Sequence, residues 1–511
     1  MKRYGQVAIL LAAVVLTQPA TGKEPVKEGG WLIEKDEHTG ASIQTMEMTL
    51  HPKAEPRPAL KYRLLPDDFD MVDGNAAIYY LKAIGFDGYS SPHHSLYRFD
   101  QEVRERAGNK DKRRSEIPPG IWRTMKPEDL PLEEVKEFLK FTNFQCADLK
   151  EASRRRRFDL DRNFREIEDP LSYQLGAIQS MQELARMQTL RCKVAIAEGR
   201  IDDAIEILGQ QYSLARHLGQ DDVLVSGLVG MACAGIGFSD ALYLVQHPDA
   251  PNLYWAFASL PRPLVDLRHA MAFERQFLYL QLKVLREVDE SSRPAGYWRD
   301  FLDRLIPQFG GMARDFGMAR AKDDPETARA KLVESIATAY PGAKRYLIED
   351  CGLPTAQVEA YPNTQVVLLA TIRYHDEERD NHFKWAHLPY WQARSGMRSP
   401  DVEKASRADW CVWPTHELLS TAMAARTAVA RAQQHLALLQ TVEAIRMYGA
   451  THQGELPSSL DDLPVPAPLE PFTGKPLDYQ YHGKHAVLTG HKMPGMQYRL
   501  VLRFAKKAET P

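Results

Sequence analysis

Little in this sequence points to a reaction. It has no G-x-S-x-G elbow, no Walker loop and no G-x-G-x-x-G after a strand, and no cysteine has a histidine in a recognisable catalytic context. Only five cysteines occur in 511 residues: Cys146, Cys192, Cys233, Cys351 and Cys411. Their wide spacing and odd number exclude a dense disulfide framework and a CxxC metal site, and allow at most two bridges, which spacing alone does not pair. Cys192 and Cys233 sit in apolar helical stretches and read as small core residues. Charge of one sign is also missing. With 65 Lys and Arg against 68 Asp and Glu the net charge is −3, so no field gathers phosphates and no nucleic acid is expected as a partner. A composition of 44% hydrophobic and 26% charged residues excludes global disorder and a multi-span membrane protein.

What is present begins at the N-terminus. Lys2 and Arg3 precede a short apolar run over residues 7–16, and Pro19-Ala20-Thr21-Gly22 places small residues at a cleavage point. Residues 1–22 therefore read as a secretory signal peptide. The run is too short to span a bilayer comfortably, and no cysteine follows it to accept a lipid. The expected product is exported, periplasmic or extracellular, with no stable membrane span after cleavage. Residues 23–130 read as an irregular N-terminal arm with one short helix over 76–83; prolines at 52, 56 and 58 favour extended backbone there.

Residues 131–414 read as an α-helical body. Val135, Phe138, Leu139 and Phe141 or Thr142 recur near the helical period, and the Arg154 to Arg157 run is expected to form a solvated helix face. Two periodic helices follow, marked by Leu175, Ile178, Met181, Leu184 and Val194, and then by Ile201, Ile205, Leu208, Tyr212 and Leu218. Glu198-Gly199-Arg200 joins them, with Gly199 placed for a helix end and Asp202 and Asp203 for the next helix start, which predicts an antiparallel hairpin. Residues 195–208, with Gly199 followed by Asp203-Ala204-Ile205, resemble one tetratricopeptide-type unit, without a second copy near a 34-residue period. Residues 223–239 are uncharged, and Ser226, Gly230 and Ala234 make a small-residue face that predicts a central buried helix closely approached by another. Asp323-Asp324-Pro325 reads as a helix start, and Gly352 with Pro354 as a stop.

The period changes in the last hundred residues. Residues 415–450 read as a long helix, Ser458-Ser459-Leu460-Asp461-Asp462 has the form of a capping box, and alternation at Leu477, Tyr479 and Tyr481 opens a small antiparallel sheet. The fold class expected is mainly α: a multi-helix body of antiparallel hairpins with a small C-terminal α+β module over 415–511. The order of long helix, Tyr448, Gly454, Leu456-Pro457, Leu460, Leu463, then Pro471-Phe472-Thr473-Gly474-Lys475-Pro476 and Tyr479 resembles the soluble head of type II secretion pseudopilins. The departure is at the helix start: that family begins with a membrane-inserted apolar helix, whereas this helix continues from a preceding domain, so the resemblance does not imply filament assembly. Glu470 introduces the turn, but one carboxylate does not make a calcium site. The chain as a whole resembles exported helical bacterial proteins that combine such a body and tail.

Candidate chemistry is sparse. His375, Glu378 and His382 fall at i, i+3 and i+7, so a helix brings these metal-ligand types to one face; the neighbouring Asp376, Glu377, Arg379 and Asp380 equally suit a solvated helix face. His93-His94 lies in a Ser/Pro loop. Asp323, Asp324, Glu377 and Glu378 supply carboxylates for a two-acid glycosidase, but adjacent helical residues diverge by about 100° and rarely meet one bond. Trp385 to Trp391 and Trp410-Cys411-Val412-Trp413 read as packing aromatics. The sequence thus predicts an exported, non-catalytic helical protein that binds an envelope protein partner and needs no cofactor. The rival is an extracytoplasmic hydrolase, metal-dependent or two-carboxylate, on a helical scaffold.

Overall fold

A computed structural model describes residues 25–36, 39–85, 117–167, 170, 175–315, 325–397, 411–412, 415–493 and 495–506, most of them helical. In chain order the strands are β1 (Val26–Glu28), β2 (Trp31–Lys35), β3 (Ser42–Leu50), β4 (Val72–Asn75), β5 (Arg155–Arg157), β6 (Asp478–Tyr481), β7 (Ala486–Thr489) and β8 (Met496–Phe504). The longer helices are α1 (Ala76–Ile84), α2 (Pro118–Thr124), α3 (Leu132–Lys140), α4 (Phe144–Ser153), α5 (Gly176–Ala197), α6 (Ile201–Leu218), α7 (Leu224–Leu244), α8 (Ala295–Asp315), α9 (Pro325–Arg345), α10 (Asn363–Phe383) and α11 (Thr415–Thr451). The chain is mainly α with a small mixed sheet. It divides into two units: one takes in the described residues of 17–160, 175–267 and 428–511, the other those of 161–174 and 268–427, and the division falls within α11.

The larger unit carries a six-stranded sheet in the order β1-β2-β3-β8-β7-β6. Residues 23–130, expected as an irregular arm, therefore contribute three strands. β3 lies parallel to β8 along its whole length, from Ser42 opposite Met496 to Leu50 opposite Phe504, and the other neighbours are antiparallel. A parallel pair needs a crossover, and here everything between residues 50 and 496 serves as one. Alternation puts Met46, Met48 and Leu50 of β3 and Tyr498, Leu500 and Leu502 of β8 on the buried face. That face meets the helices through rings: Trp31 and Tyr498 of the sheet surround Phe238 of α7, which stacks on His435 of α11 at 4.1 Å between centroids. The edge strand β1 is exposed throughout.

Helices α5, α6 and α7 pack on one another. α7 is long and apolar enough to cross a membrane by length and composition, but 72% of its most apolar window is buried inside the protein. Its small residues explain the closeness of the packing: a Cβ on Gly230 would stand 2.7 Å from the carbonyl oxygen of Ala215 in α6. Gly199, between α5 and α6, has φ +70°, the left-handed conformation that glycine adopts without steric cost.

The arginine run departs from the sequence reading. α4 ends at Ser153, and Arg155 to Arg157 form β5, parallel to β4. Arg155 is half-buried and donates to the Tyr79 hydroxyl at 2.7 Å and to Glu151 at 3.2 Å, and Arg156 pairs with Asp68 and Asp73, while Arg154, Arg156 and Arg157 are exposed as expected. Asn75, at the end of β4, caps α1 by accepting from Ala77 N at 3.0 Å.

The smaller unit has its own core, in which Trp298 and Phe301 of α8 pack with Val366, Leu369 and Ala370 of α10. The Trp298 indole donates to Gln365 Oε1 at 3.2 Å, and Gln365 Nε2 donates to the carbonyls of Asp289 and Ser291. A buried amide is thereby satisfied on both sides. α9 begins at Pro325 and runs into a π-turn, Tyr346–Asp350, before Gly352 at φ +72°.

Candidate functional site

His375, Glu378 and His382 all lie on α10, with His375 and Glu378 buried and His382 half-buried. His382 Nδ1 donates to the carbonyl of Glu378 at 2.7 Å. Burial, and then the charge of Arg379, lower the His375 pKa to about 4, so its ring is neutral at neutral pH. Among the described residues no group of three or more His, Cys, Asp or Glu side chains is placed to hold a metal ion, so the shared helix face does not gather these three into a ligand set. The surrounding charges are not merely solvated. Arg379 is buried and pairs with Asp376 and Asp380, and Tyr279 donates to Asp376 at 2.7 Å. Glu377 is exposed and Glu378 buried, so the adjacent carboxylates diverge as helical geometry requires. His93, His94, Asp323, Asp324, Trp410 and Trp413 lie outside the described residues.

Three cations, Lys193, Arg446 and Arg426, donate to backbone carbonyls of turns and element ends. Lys193 of α5 donates to the carbonyls of Arg123 and Met125, where α2 ends, at 2.6 and 2.5 Å. Arg446 of α11, fully buried, donates to the carbonyls of His51, Ala250 and Pro251 and pairs with the equally buried Glu443 at 2.8 Å. Arg426 donates to the carbonyls of Trp385, Ala386 and Leu388 around a short 3₁₀ turn. Carbonyls at a helix end, such as those that Lys193 and Arg426 reach, lack an intrahelical donor and carry the negative end of the helix dipole, so a cation satisfies both needs. These groups are committed to holding the backbone.

A second buried group centres on Asp240 of α7. Gln211 Nε2 donates to its Oδ2 at 2.8 Å. Burial raises the Asp240 pKa to about 6 against the opposing pull of Lys193, and burial in turn lowers the Lys193 pKa. Also on α6, His217 Nε2 donates to the carbonyl of Arg155 at 2.8 Å, and Nδ1 accepts from the Tyr80 hydroxyl at 2.9 Å. Burial takes this ring's pKa down to about 3.

The arrangement that presents something outward is the corner between α3 and α4. Phe141 is 45% and Phe144 48% exposed, whereas Thr142 and Gln145 between and beside them are 2% and 0%. The cause lies beneath. The buried guanidinium of Arg191 in α5 donates to the Thr142 carbonyl at 2.7 Å, to its hydroxyl at 2.8 Å and to Gln145 Oε1 at 3.3 Å. Gln188 accepts from the same guanidinium at 2.6 Å, and Gln145 Nε2 donates to the carbonyl of Ala83 at 3.0 Å. With the polar side of the corner gripped, its apolar side must face out. Sequence periodicity left Phe141 and Thr142 as alternatives for the apolar side; the structure buries Thr142, because Arg191 supplies the partner its hydroxyl and carbonyl need. No local signal marks Arg191, which acts across 49 residues.

No protein-family model, no curated protein and no solved structure matches this chain.

Proposed function

We propose that this is an exported, non-catalytic binding protein of the bacterial cell envelope that engages an envelope protein through the α3–α4 corner. The observation that carries the reading is the pair of outward phenyl rings, Phe141 and Phe144, on a corner fixed from below by Arg191. Exposed aromatic side chains on rigid supports lose little entropy on binding and make effective interface anchors. The engagement of Lys193, Arg426 and Arg446 with backbone carbonyls supports the same reading, since those groups are spent on the fold.

In this reading residues 1–22 are removed on export and the mature chain carries no membrane span. The helical body over 131–414 is built of antiparallel hairpins, α5 and α6 being the tetratricopeptide-like one. The segment 415–511 keeps the helix, turn and strand order of a pseudopilin head, with β8 also taken up by β3 from the N-terminal segment. The test is crosslinking mass spectrometry on native envelopes, with the full chain as bait and an abundant exported protein as control. The expected result is one reproducible partner with crosslinks clustered near residues 137–150. A chain recovered repeatedly without a partner overturns the binding reading in favour of a hydrolase.

A further inference from the structure

The hairpin that joins β6 to β7 carries two histidines at its apex, His482 and His485, with Gly483 and Lys484 between them. The strand register runs from Asp478 opposite Thr489 to Tyr481 opposite Ala486, and one step further sets His482 opposite His485. The His482 N–H donates to the His485 carbonyl at 2.9 Å and closes the turn. Residues directly opposite on antiparallel strands project to one face, with Cβ atoms about 4.5–5.5 Å apart. Alternation settles which face this is. Ala486 and Leu488 are fully buried toward the core, so His482, exposed, and His485, half-buried, stand on the outer side with Gln480 and Asp478.

The two imidazoles are 5.0 Å apart between centroids, with their planes 27° from parallel. That separation has a chemical meaning. An imidazole nitrogen binds zinc at about 2.0–2.1 Å, which puts each ring centre about 3.2 Å from the ion. Two such rings stand about 5.2 Å apart at the tetrahedral angle and about 4.5 Å apart at a right angle. The observed value lies near the tetrahedral one. The ring planes are set by a broad torsion about Cβ–Cγ, whose axis passes through the ring, so turning each ring aims a nitrogen at a shared point and leaves the centroids in place. Among the described residues neither ring nitrogen has a hydrogen-bond partner to resist that turn. The histidines of α10 and α11 differ: His375 and His435 are buried, and His382 Nδ1 is committed to the Glu378 carbonyl.

We propose that His482 and His485 form a surface site for a tetrahedral divalent ion of the zinc(II) class, one ion per chain. Each imidazole gives one nitrogen lone pair. Water fills the two remaining positions, because among the described residues no group of three His, Cys, Asp or Glu side chains is placed around an ion. Those positions leave the ion open to a donor from another molecule. Nitrogen donors suit zinc and its neighbours in the transition series, whereas calcium and magnesium require oxygen. The exposed Lys484 ammonium opposes the ion, and water and salt screen it. The site depends neither on the α3–α4 corner nor on export.

The test titrates the full chain, untagged and stripped of metal by a chelator, with zinc(II) alone in a calorimeter. Histidine labelling by diethyl pyrocarbonate, mapped by mass spectrometry with and without zinc, then locates the ion. One tight ion per chain is expected, with His482 and His485 protected together at stoichiometric zinc and neither protected by calcium. H482A and H485A should each weaken binding by roughly tenfold or more, because once one imidazole holds the ion the other meets it at high effective concentration. Both substitutions lie in an exposed turn, and the double variant should lose the site while keeping the wild-type circular dichroism. Protection of one histidine without the other, protection only at zinc levels that also protect the remaining exposed histidines, or single variants that bind as the wild type does would overturn the site.

Discussion

Three buried histidines weigh most in how this protein should respond to acid. His217 and His435 each have a pKa lowered to about 3 from an ordinary 6.5, and His375 to about 4, all chiefly because burial disfavours the imidazolium. A lowered histidine pKa means that the unfolded chain binds more protons below pH 6.5, so stability is complete above that pH and falls as pH drops below it. At pH 5 each ring costs about 2 kcal/mol. Asp240 works the other way. Its pKa is raised to about 6 from 3.8, so the folded state binds the extra proton and acidification from pH 6 to 5 returns about 1 kcal/mol. The histidines win. Urea unfolding at pH 7.5 and pH 5 should show a net loss of a few kcal/mol, reduced by about 2 kcal/mol in H217Q; an equal loss in H217Q would assign the acid sensitivity elsewhere. In D240N the small opposing gain should vanish, making the fall toward pH 5 steeper than in the wild type.

Arg191 illustrates what residue-level reading of the sequence misses. Its type and position fit a helix face, and nothing local indicates that its guanidinium reaches Thr142 and Gln145. R191M keeps the side-chain bulk but leaves those acceptors without their donor, which costs about 1–3 kcal/mol. Amide exchange should rise at residues 141–146 with little change in β3 and β8. Exchange unchanged at the corner would show that Arg191 does not position it.

At the scale of elements, legibility follows the range of the interactions. The capping box read from Ser459 and Asp462 forms: the Ser459 hydroxyl accepts from Asp461 N at 3.2 Å, and Asp462 accepts from Ser459 N at 2.9 Å. The small-residue face of α7 was equally visible, because close approach needs only glycine at the right spacing. Ala would be expected to gain about 1 kcal/mol over Gly inside a helix. G230A should nonetheless destabilise, by about 1–3 kcal/mol, because its methyl meets the Ala215 carbonyl. A raised melting temperature in G230A would mean that α6 and α7 are not so closely packed. The strands β2 and β3 were the main omission. Met46, Glu47, Met48, Thr49 and Leu50 do alternate, but the partner of β3 is β8, at the other end of the chain. Nothing local marks so distant a pairing. The arginines of β5 were missed for a related reason, since β4 and not helix propensity decides their conformation.

For the molecule as a whole, the helical class and the C-terminal strands follow from periodicity that can be read directly, whereas the mixed sheet and the division into units cannot, because β8 pairs in parallel with β3 and the larger unit gathers three separated stretches of chain. Its sheet makes the N-terminal strands structural: without residues 25–50, the edge of β8 would lose its partner and Tyr498 its contact with Trp31. The functional surface is less legible still, because exposure of Phe141 and Phe144 depends on what Arg191 does beneath them. The central claim is that this corner binds, and site-specific photocrosslinking tests it most directly. A benzophenone amino acid would replace Phe144 in the full chain, with the same group at the exposed Lys484 turn as control, and both would be irradiated in native envelopes. A single adduct from position 144, absent from position 484 and lost when F141S is added, is the predicted result. No adduct at 144, or the same adducts from both positions, would contradict it.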